Sequence, residues 1–396
     1  MSRRNGLHQT RPKSERACLV GVGLRGDKSG WALEDSMAEL ADLARAANAE
    51  VVSQLPQLLA RPARTYVGRG KLEELKAIVY DEEIDVVIFD DELAPAQQKL
   101  LEDELQVKVI DRSSLILDVF AQRARSTEGK LQIELAQSEY LLPRLAGQWS
   151  HLERLGGGIG TRGPGETQIE TDRRLVRTRI SRMKKQLRKV RDQRDAQRQN
   201  RARSRVRVIS LVGYTNAGKS AIFNRLTSGG VIARNQLFST LDTTTRQLYL
   251  PDNSPAVLTD TVGFIHKLPA AVVAAFRATL EEMDAADLFL HVVDVSQRSA
   301  VRHAAVVDEV LDGLGLGAIP KVIVLNKLDR ITDDPAGDLP DRVHELIAAS
   351  NRHALTSAEL GWGIENLRTL IAEYLNPSVP EDGMPLAKQA AEATQA

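Results

Sequence analysis

A run of eight residues has the composition and spacing of a loop that binds phosphate groups. The run follows the pattern G-x-x-x-x-G-K-S and consists of Gly213, Tyr214, Thr215, Asn216, Ala217, Gly218, Lys219 and Ser220. In loops of this kind the backbone N–H groups point inward and surround phosphate oxygens. The Lys219 ammonium would reach the β- and γ-phosphates of a nucleotide, and the Ser220 hydroxyl would bind Mg²⁺. The pattern therefore predicts a site for a nucleoside triphosphate.

The segments on either side of this loop are those that would position it. The apolar run from Val206 to Val212 predicts a buried strand before the loop, and residues 221–226 have helical spacing after it. Between a strand and a helix, such a loop lies where the first N–H groups of the helix point at the anion. A purely structural glycine turn is the alternative interpretation, and the flanking strand and helix favour the phosphate site.

Further along the chain, two segments could complete a magnesium site. Thr240 can supply a second oxygen from a loop that consists of Phe238, Ser239, Thr240, Leu241 and Asp242. Thr243, Thr244 and Thr245 follow directly, and the sequence does not rank these threonines decisively. A predicted strand then ends in Asp260, Thr261, Val262 and Gly263. Asp260 would hold the hydrated Mg²⁺, and the Gly263 N–H would sense a γ-phosphate.

Two later segments indicate that the base is guanine. One consists of Asn326, Lys327, Leu328 and Asp329, and the other of Thr356, Ser357 and Ala358. The Asp329 carboxylate can accept hydrogen bonds from the ring N–H and the exocyclic amine of guanine, which adenine does not offer. Asn326 would brace the base and the loop, and backbone N–H groups of Ser357 and Ala358 would face the guanine O6. Such a site can reject the wrong base by roughly 10⁴–10⁵, although some ATP binding stays possible.

Each of these short patterns has an ordinary explanation when it occurs alone. A D-x-x-G segment is usually a turn, an N-K-x-D segment is usually a surface loop, and a run of threonines is usually solvated. Here they occur in the order that one chemistry requires, each at the end of a predicted strand or in a loop. The combination therefore favours a GTP-binding domain over unrelated turns.

The residue after Gly263 indicates slow intrinsic hydrolysis. In Ras-like enzymes a glutamine at this place orients the attacking water, but Phe264 has no group that can hydrogen-bond it. The catalytic residue therefore stays unknown, and the stimulus must come from elsewhere in the chain, a cation or a partner. Asn216 matches the position of an asparagine that ligates K⁺ in some GTPases with an apolar residue at the glutamine position. The alternative is that Asn216 only hydrogen-bonds the loop.

Composition limits the class of protein. The chain has 396 residues and 42% hydrophobic content, which is enough for two or three domains. Its single cysteine, Cys18, excludes a disulfide framework and a cysteine-rich metal site, which fits a reducing cytoplasm. No apolar stretch reaches the roughly 18 residues of a membrane span. Residues 1–16 lack the apolar segment of a secretory signal. We therefore expect a cytoplasmic protein without a membrane span, and a monomer.

Charge is unevenly distributed along the chain, although the formal net charge is zero. Between Arg173 and Arg207 there are 16 Lys and Arg residues against only Asp192 and Asp195, a local net charge of +14. This excess over local pairing makes nucleic acid phosphates a natural partner. A solvated helix face, or pairing with an acidic surface, is the alternative.

The order of apolar and helical segments predicts five parts in an α/β chain. They are a disordered lead-in over residues 1–16, an N-terminal parallel α/β domain over 17–122, a helical hairpin over 123–205 with a glycine-rich tip over 156–165, a Ras-like P-loop GTPase domain over 206–376 and a disordered tail over 377–396. Alternating apolar strands and helices predict parallel sheets. Apolar residues spaced by three and four from Ile169 to Val190 predict the seam of an antiparallel coiled coil. The first domain shows no catalytic pattern, and we expect it to bind rather than catalyse.

Over nearly its whole length the chain resembles the HflX family of translation-factor GTPases. The segments that carry this resemblance are residues 65–71 (TYVGRGK), 89–93 (FDDEL), 109–112 (VIDR), 120–124 (FAQRA), 128–132 (EGKLQ), 157–168 (GGIGTRGPGETQ) and 170–174 (ETDRR). The resemblance implies the domains described above, binding to the large ribosomal subunit, activation by it, and separation of stalled ribosomes into subunits. It also implies that the tip of the hairpin reaches the peptidyl-transferase region.

The tip has its own composition. Six of the ten residues from 156 to 165 are glycine, which is costly in chain entropy for a mere connector. A small cationic tip suits a narrow RNA cavity, where shape and phosphate contacts dominate. The residues predicted to contact RNA are Gly158, Arg162, Gly163 and Gly165. A flexible linker between two helices is the alternative.

The motifs predict a GTP hydrolase, and the resemblance implies that it binds 50S and 70S ribosomal particles and splits or rescues stalled ribosomes. Its cofactor would be Mg²⁺, its ligands GTP and GDP, and K⁺ a possible activator. Its partners would be the 50S subunit and ribosomal RNA. The alternatives are a GTP-dependent ribosome assembly factor and a regulatory switch outside translation whose basic helix binds another acidic partner.

Overall fold

The chain divides into two units, each built around a mainly parallel β-sheet. The first unit comprises residues 1–122 and 137–178, and the second comprises residues 123–136 and 179–396. The computed structural model describes residues 14–25, 31–61, 63–145, 164–203, 206–227, 237–238, 240, 243–269, 272–273, 281–334 and 337–376. The two sheets confirm the predicted α/β fold class. The division into five parts stays a prediction.

Several predicted features lie outside the described residues. They are most of the lead-in, the tail, Ser239, Leu241, Asp242 and the tip residues up to Gly163, including Gly158 and Arg162. Gly165 was predicted in the tip loop but lies in the first turn of a helix that begins at Pro164. Proline is well suited to a first helical position because its fixed φ is already helical and its missing N–H would have had no helical partner.

The sheet of the first unit has the strand order β2–β1–β3–β4, and all its pairs are parallel. Its strands are β1 (Arg16–Leu24), β2 (Glu50–Leu59), β3 (Val86–Phe89) and β4 (Lys108–Asp111). Its helices are α1 (Leu33–Ala46), α2 (Arg69–Asp81), α3 (Pro95–Leu105) and α4 (Arg112–Arg123). Every residue of β3 is buried, as expected for an apolar strand in a parallel sheet whose two faces are covered.

Strand β2 is longer than the sequence indicates. The apolar pattern predicts a strand from Glu50 to Gln54, but β2 continues through Pro56 to Leu59. Among the described strands, β2 lies at the edge of the sheet and pairs with β1. An edge strand tolerates proline because one row of its N–H groups has no sheet partner.

Carboxylates at the edge of the first sheet are bound by groups of the same unit. Asp90, which follows β3, accepts hydrogen bonds from Ser36 Oγ (2.6 Å) and Arg112 Nη1 (2.8 Å). Asp111, at the end of β4, accepts one from the Leu93 N–H (3.0 Å). Buried charges need partners of this kind, so these side chains stabilise the fold. A binding role for this unit stays a prediction.

Two helices connect the sheets in sequence, α5 (Thr127–Leu141) and α6 (Pro164–Arg203). Glu134 of α5 accepts a hydrogen bond from Arg179 Nε of α6 (2.7 Å). In the predicted seam of α6, Ile180 and Met183 are buried, and the other seam residues between Val176 and Val190 are half-buried. This pattern matches a helix that packs along one stripe. The antiparallel arrangement of the hairpin stays a prediction.

The sheet of the second unit has the order β10–β9–β8–β5–β7–β6, and only β6 is antiparallel to its neighbour. Its strands are β5 (Arg207–Gly213), β6 (Thr244–Tyr249), β7 (Pro255–Asp260), β8 (Leu288–Asp294), β9 (Lys321–Asn326) and β10 (His353–Leu355). The α-helices are α7 (Lys219–Thr227), α8 (Ala300–Gly313), α9 (Asp341–Ala348) and α10 (Ile364–Leu375), and short 3₁₀ helices span Glu281–Ala285 and Leu328–Arg330.

The parallel strands of this sheet explain why the predicted motifs meet. β5, β7, β8, β9 and β10 all end at the same edge, because parallel strands share one direction. The phosphate loop follows β5, Asp260 ends β7, and Asn326 ends β9. Apolar side chains such as Ile209, Phe223 and Val292 form the core below this edge. Among the described helices, none combines the length and apolar character that crossing a lipid bilayer requires.

Candidate nucleotide-binding site

The phosphate loop depends on two glycines where no side chain fits. A Cβ on Gly213 would lie 2.3 Å from the carbonyl oxygen of Val292 on the neighbouring strand β8. Gly218 has a φ of +97°, and a Cβ there would lie 2.2 Å from Asn326 Nδ2. Both distances are below any real contact, and a positive φ also favours glycine. The first and sixth positions of the pattern are therefore fixed by packing against β8 and Asn326.

Lys219 lies beneath this loop at the first position of α7. Its ammonium donates hydrogen bonds to the carbonyl oxygens of Gly213 (3.0 Å) and Tyr214 (2.9 Å). Burial lowers the pKa of Lys219 to about 8, while the nearby Asp260 carboxylate acts to raise it. The two carbonyls hold the side chain in one direction, so its charge is ready for an anion inside the loop.

Three oxygen-bearing side chains meet at the start of α7. Ser220 Oγ lies 2.6 Å from Thr240 Oγ1 and 2.7 Å from Asp260 Oδ2, and Thr240 Oγ1 lies 3.0 Å from the same carboxylate oxygen. Burial raises the pKa of Asp260, and the hydrogen bond from Ser220 acts in the opposite direction. Ligands of an octahedral Mg²⁺ at about 2.1 Å stand about 3 Å apart. This set of hard oxygen atoms fits that ion.

The same contacts distinguish Thr240 from the neighbouring threonines. Thr244 and Thr245 belong to strand β6, and Thr245 Oγ1 lies 3.2 Å from Thr259 Oγ1 of β7. Thr243 directly precedes this strand. Of the four candidates, the structure brings Thr240 to Ser220 and Asp260.

The segment after Asp260 is hydrogen-bonded to the phosphate loop. The Phe264 N–H donates to the Gly213 carbonyl (3.1 Å), and the Thr215 N–H donates to the Phe264 carbonyl (2.6 Å). Gly263 packs so closely that a Cβ there would lie 2.7 Å from Thr215 Cα. Phe264 itself is buried. Gly263 is therefore held beside the loop, and Phe264 brings no polar side-chain group to the site.

Tyr214 adds contacts that the sequence interpretation did not assign. Its ring stacks on His303 of α8, with centroids 4.0 Å apart and planes 4° apart. Its hydroxyl accepts a hydrogen bond from the His266 N–H (2.8 Å). The second position of the phosphate loop thus links α8 and the segment that follows Gly263. The aromatic residue at the second position of the pattern was the feature of the sequence that could have indicated such contacts.

At the other end of the site, Asn326 connects the phosphate loop to the base loop, the segment around Thr356, Ser357 and Ala358. Its Nδ2 donates to the Ala217 carbonyl (3.0 Å), and its Oδ1 accepts from the Ala358 N–H (3.1 Å). Thr356 Oγ1 lies 3.4 Å from the same oxygen, and the Thr356 carbonyl accepts from the Leu328 N–H (3.2 Å). One amide side chain therefore holds both loops together, and its predicted contact with the base stays a prediction.

The base-recognition residues have partners of their own. Asp329 Oδ1 accepts a hydrogen bond from Ser357 Oγ. The Ser357 N–H donates to the Trp362 carbonyl (3.1 Å), and the Ala358 N–H donates to Asn326. Both N–H groups that were predicted to face the guanine O6 therefore have acceptors within the protein. These hydrogen bonds hold the loop that contains Ser357 and Ala358 in a tight turn.

Lys327 and Asp294 form an ion pair beside this loop. Lys327 Nζ lies 2.8 Å from Asp294 Oδ2, and Asp294 Oδ1 accepts hydrogen bonds from the backbone N–H (3.0 Å) and hydroxyl (2.6 Å) of Ser296. The Lys327 backbone has a φ of +66°. Asp294 was not predicted as a site residue. The sequence could have indicated this role, because Asp294 is an aspartate at the end of a buried strand, as Asp260 is.

A cleft with a volume of about 150 Å³ lies along these residues. Residues of the phosphate loop and of the base-recognition segment both line this cleft. Its lining includes Thr215, Asn216, Lys219, Ser220, Phe238, Thr240, Thr261, Gly263, Lys327 and Glu359. The Phe238 N–H donates to Thr215 Oγ1 (2.9 Å), which places the described part of the Phe238 loop against the phosphate loop. Val262 and Leu328 are buried next to the polar residues of their motifs.

Models of protein families match three consecutive parts of the chain. Residues 34–121 match a family described as the N-terminal region of GTP-binding GTPases, and residues 123–201 match the middle region of the same GTPases. Residues 208–327 match a family described as a 50S ribosome-binding GTPase. Together these matches cover the strands from β2 to β9 apart from the first residue of β5, and they leave out β1 and β10.

Individual proteins match over most of the chain. The GTPase HflX of Alkalihalophilus pseudofirmus is 49% identical over 316 residues, which cover 80% of this chain and 75% of that protein. The GTPase HflX of Escherichia coli is 44% identical over 376 residues, which cover 95% and 86%. A crystal structure of a GTP-binding protein from Sulfolobus solfataricus in complex with GDP is 27% identical, with a TM-score of 0.46 over 91% of this chain and 98% of that one.

Proposed function

The chain belongs to the HflX family of GTPases, and from this membership we propose that it binds the 50S ribosomal subunit and uses GTP to split or rescue stalled ribosomes. It is a P-loop GTP hydrolase with a ribosome-binding GTPase domain. The observation that supports the proposed site is that Asn326 braces both the phosphate loop and the base loop around one cleft. Phosphate and base recognition are thereby joined in one rigid arrangement.

We assign the residues of the site the following roles. The N–H groups of residues 213–220 and the Lys219 ammonium bind the phosphates, and Asp329 reads the guanine N–H and amine. Ser220, Thr240 and Asp260 would hold Mg²⁺, which neutralises charge on the β- and γ-phosphates when it is bound. Gly263 would report the γ-phosphate, because its segment is hydrogen-bonded directly to the loop.

Phe264 determines how fast the bound GTP is hydrolysed. Its side chain is buried and offers no hydrogen bond to an attacking water. We therefore propose slow intrinsic turnover that the ribosome stimulates. A cation or positive group that stabilises the transition-state charge is worth roughly 10³–10⁵ in rate in related reactions.

Asn216 is a candidate ligand for such a cation. We predict that K⁺ accelerates GTP turnover. Asn216 lines the cleft, and its φ of +62° lies in the left-handed region. We expect GTP hydrolysis to be at least several-fold faster in KCl than in NaCl at equal ionic strength, and the difference to disappear in Asn216→Ala. Phosphate release measured with and without 50S subunits is the readout. Equal rates in both salts under both conditions would exclude the cation.

The exposed face of α6 supports RNA as the partner. Between Arg173 and Lys189 the structure describes nine basic side chains, of which all but Arg173 are exposed. One of them, Arg179, is paired with Glu134. A regular array of exposed cations suits phosphate groups, and each phosphate contact contributes about one unit to the salt dependence of binding. The tip residues Gly158, Arg162, Gly163 and Gly165 are proposed to enter the subunit.

We predict that neutralising this face weakens binding to 50S subunits in a salt-dependent way. In the triple variant Arg177→Gln, Arg182→Gln and Arg188→Gln, we expect the slope of log affinity against log salt to fall by up to about 3. Co-sedimentation from 50 to 300 mM KCl measures this slope. The matched control is Arg61→Gln, Arg246→Gln and Arg298→Gln, which removes the same charge from exposed positions elsewhere. Equal slopes for both variants would contradict the role of α6.

Subunit separation distinguishes the two functions that the family membership leaves open. We expect 70S particles incubated with the protein and a non-hydrolysable GTP analogue to separate into subunits in a sucrose gradient. For a GTP-dependent assembly factor, 70S particles would stay intact while immature 50S particles bind. Failure to sediment with any 50S particle would instead favour a regulatory switch outside translation. We propose that the protein acts in the cytoplasm as a monomer.

A further inference from the structure

Arg225 is a side chain of the phosphate helix that contacts the base loop directly. It lies in the last turn of α7, the helix that begins with Lys219 and Ser220. Its Nε donates to the carbonyl oxygen of Ala358 (2.7 Å), and its Nη2 donates to the carbonyl oxygen of Glu359. These partners are 133 and 134 residues away in the chain. No motif described above includes Arg225.

The geometry of this contact fixes the orientation of two consecutive peptide groups. A guanidinium holds its donors in a rigid planar fork, so two acceptors bound by it are fixed relative to each other. In a trans peptide the C=O and the next N–H point in opposite directions. By holding the Ala358 carbonyl, Arg225 therefore directs the Glu359 N–H away from itself. Glu359 lines the cleft.

The turn has two other anchors, and both belong to the base motif. Asn326 holds the Ala358 N–H, and Asp329 holds the Ser357 hydroxyl. The turn is closed by a hydrogen bond from the Gly361 N–H to the Ser357 carbonyl (2.7 Å). Gly361 has a φ of +83°, and a Cβ there would lie 3.7 Å from Arg225 Nη1. Arg225 thus lies close to Gly361 of the same turn, and it contacts this turn from the phosphate helix.

We propose that Arg225 is a positioning residue for the Glu359 N–H, and that this N–H donates to the guanine O6. This proposal rests on the nucleotide site proposed above and adds a determinant of specificity to it. The Ser357 and Ala358 N–H groups already have acceptors in the protein, so recognition at O6 depends on how the Ala358–Glu359 peptide is turned. Arg225 sets that orientation, and its described hydrogen bonds do not include Asp329, which would read the exocyclic amine.

Two guanine analogues separate the two parts of base recognition. In 6-thio-GTP, sulfur replaces O6 and is a weaker acceptor, whereas ITP keeps O6 and lacks the exocyclic amine. We expect wild-type protein to bind 6-thio-GTP about 3- to 10-fold more weakly than GTP, the range of one neutral hydrogen bond. In Arg225→Ala we expect this ratio to fall towards 1, GTP affinity to fall by a similar factor, and the GTP-to-ITP ratio to stay at its wild-type value.

The chain contains a matched control for this variant. Arg368 of α10 also donates to a backbone carbonyl near the site, that of Leu226 (2.8 Å), but its described contacts do not include the base loop. Arg368→Ala is expected to keep both ratios, and Arg225→Lys, which keeps the charge without the fork, should resemble Arg225→Ala. Equilibrium titration of each nucleotide on full-length protein, with circular dichroism to check folding, gives these ratios.

The possible results separate this inference from the proposed site itself. If Arg225→Ala weakens GTP, ITP and 6-thio-GTP by the same factor, or has no effect, Arg225 does not position the O6 donors. If the wild-type protein binds GTP and ITP equally well, base recognition at Asp329 fails, and the proposed site is wrong. The proposal is supported if the preference for GTP over 6-thio-GTP is lost in Arg225→Ala and Arg225→Lys and kept in Arg368→Ala.

Discussion

Replacing Lys219 with alanine is expected to lower the affinity for GTP and GDP by at least about 100-fold and to abolish turnover. The ammonium is buried and held by the Gly213 and Tyr214 carbonyls, so it is fixed in the position from which it would bind the phosphates. Truncating one partner of a buried, hydrogen-bonded charge pair costs about 2–5 kcal/mol. Equilibrium binding of fluorescent GTP and GDP measures the loss.

The control for this prediction is Lys321→Ala. Lys321 is an exposed lysine at the start of β9 that pairs with Asp308, away from the cleft. It should leave nucleotide binding unchanged. If Lys219→Ala bound GTP as tightly as the wild-type protein, the phosphate-loop assignment would be wrong, and the roles of Ser220 and Asp260 would be wrong with it.

The second large effect is expected at the opposite end of the cleft, in Asp329→Asn. A carboxylate offers only acceptors to the N–H and amine of guanine, whereas an amide turns a donor towards one of them. We expect GTP affinity to fall by roughly 100-fold or more, because unpaired polar groups can discriminate against a ligand by up to roughly 10⁴–10⁵. Xanthosine triphosphate carries an oxygen in place of the amine, and its affinity should rise.

Competition of GTP and xanthosine triphosphate for a fluorescent nucleotide tests this exchange. Asp333→Asn removes an exposed carboxylate of the neighbouring loop and serves as the control. A parallel loss of both nucleotides in Asp329→Asn would indicate that Asp329 only supports the Ser357 loop. A gain for xanthosine triphosphate is specific to direct contact with the base.

Much of the fold and of the nucleotide motifs could be predicted because their signals are local. The strand that ends at Gly213 and the helix that begins at Lys219 are contiguous in sequence, and so is the apolar run of β3. The periodicity of the apolar residues and the spacing of the glycines are sufficient to recognise such segments. The parallel arrangement of the sheets follows from the alternation of these elements.

The remaining features depend on which distant segments meet. Thr240 could not be ranked above its neighbours, because the choice depends on the path of a loop relative to Ser220 and Asp260. The stacking of Tyr214 on His303 and the contact of Arg225 with residues 133 positions away join different elements of the second unit. Contacts between residues that are so far apart in the chain produce no periodic pattern of residue types in a single sequence.

The missing side chain of Gly218 has a consequence for how this site can change over evolutionary time. Asn326 Nδ2 occupies the space that a Cβ of residue 218 would need, so a side chain at position 218 and the Asn326 amide do not fit together. A mutation at either position alone either creates a clash or leaves a gap between the two loops. Natural variants that alter nucleobase preference should therefore vary at Asp329 and around Arg225, while Gly218 and Asn326 are inherited as a pair.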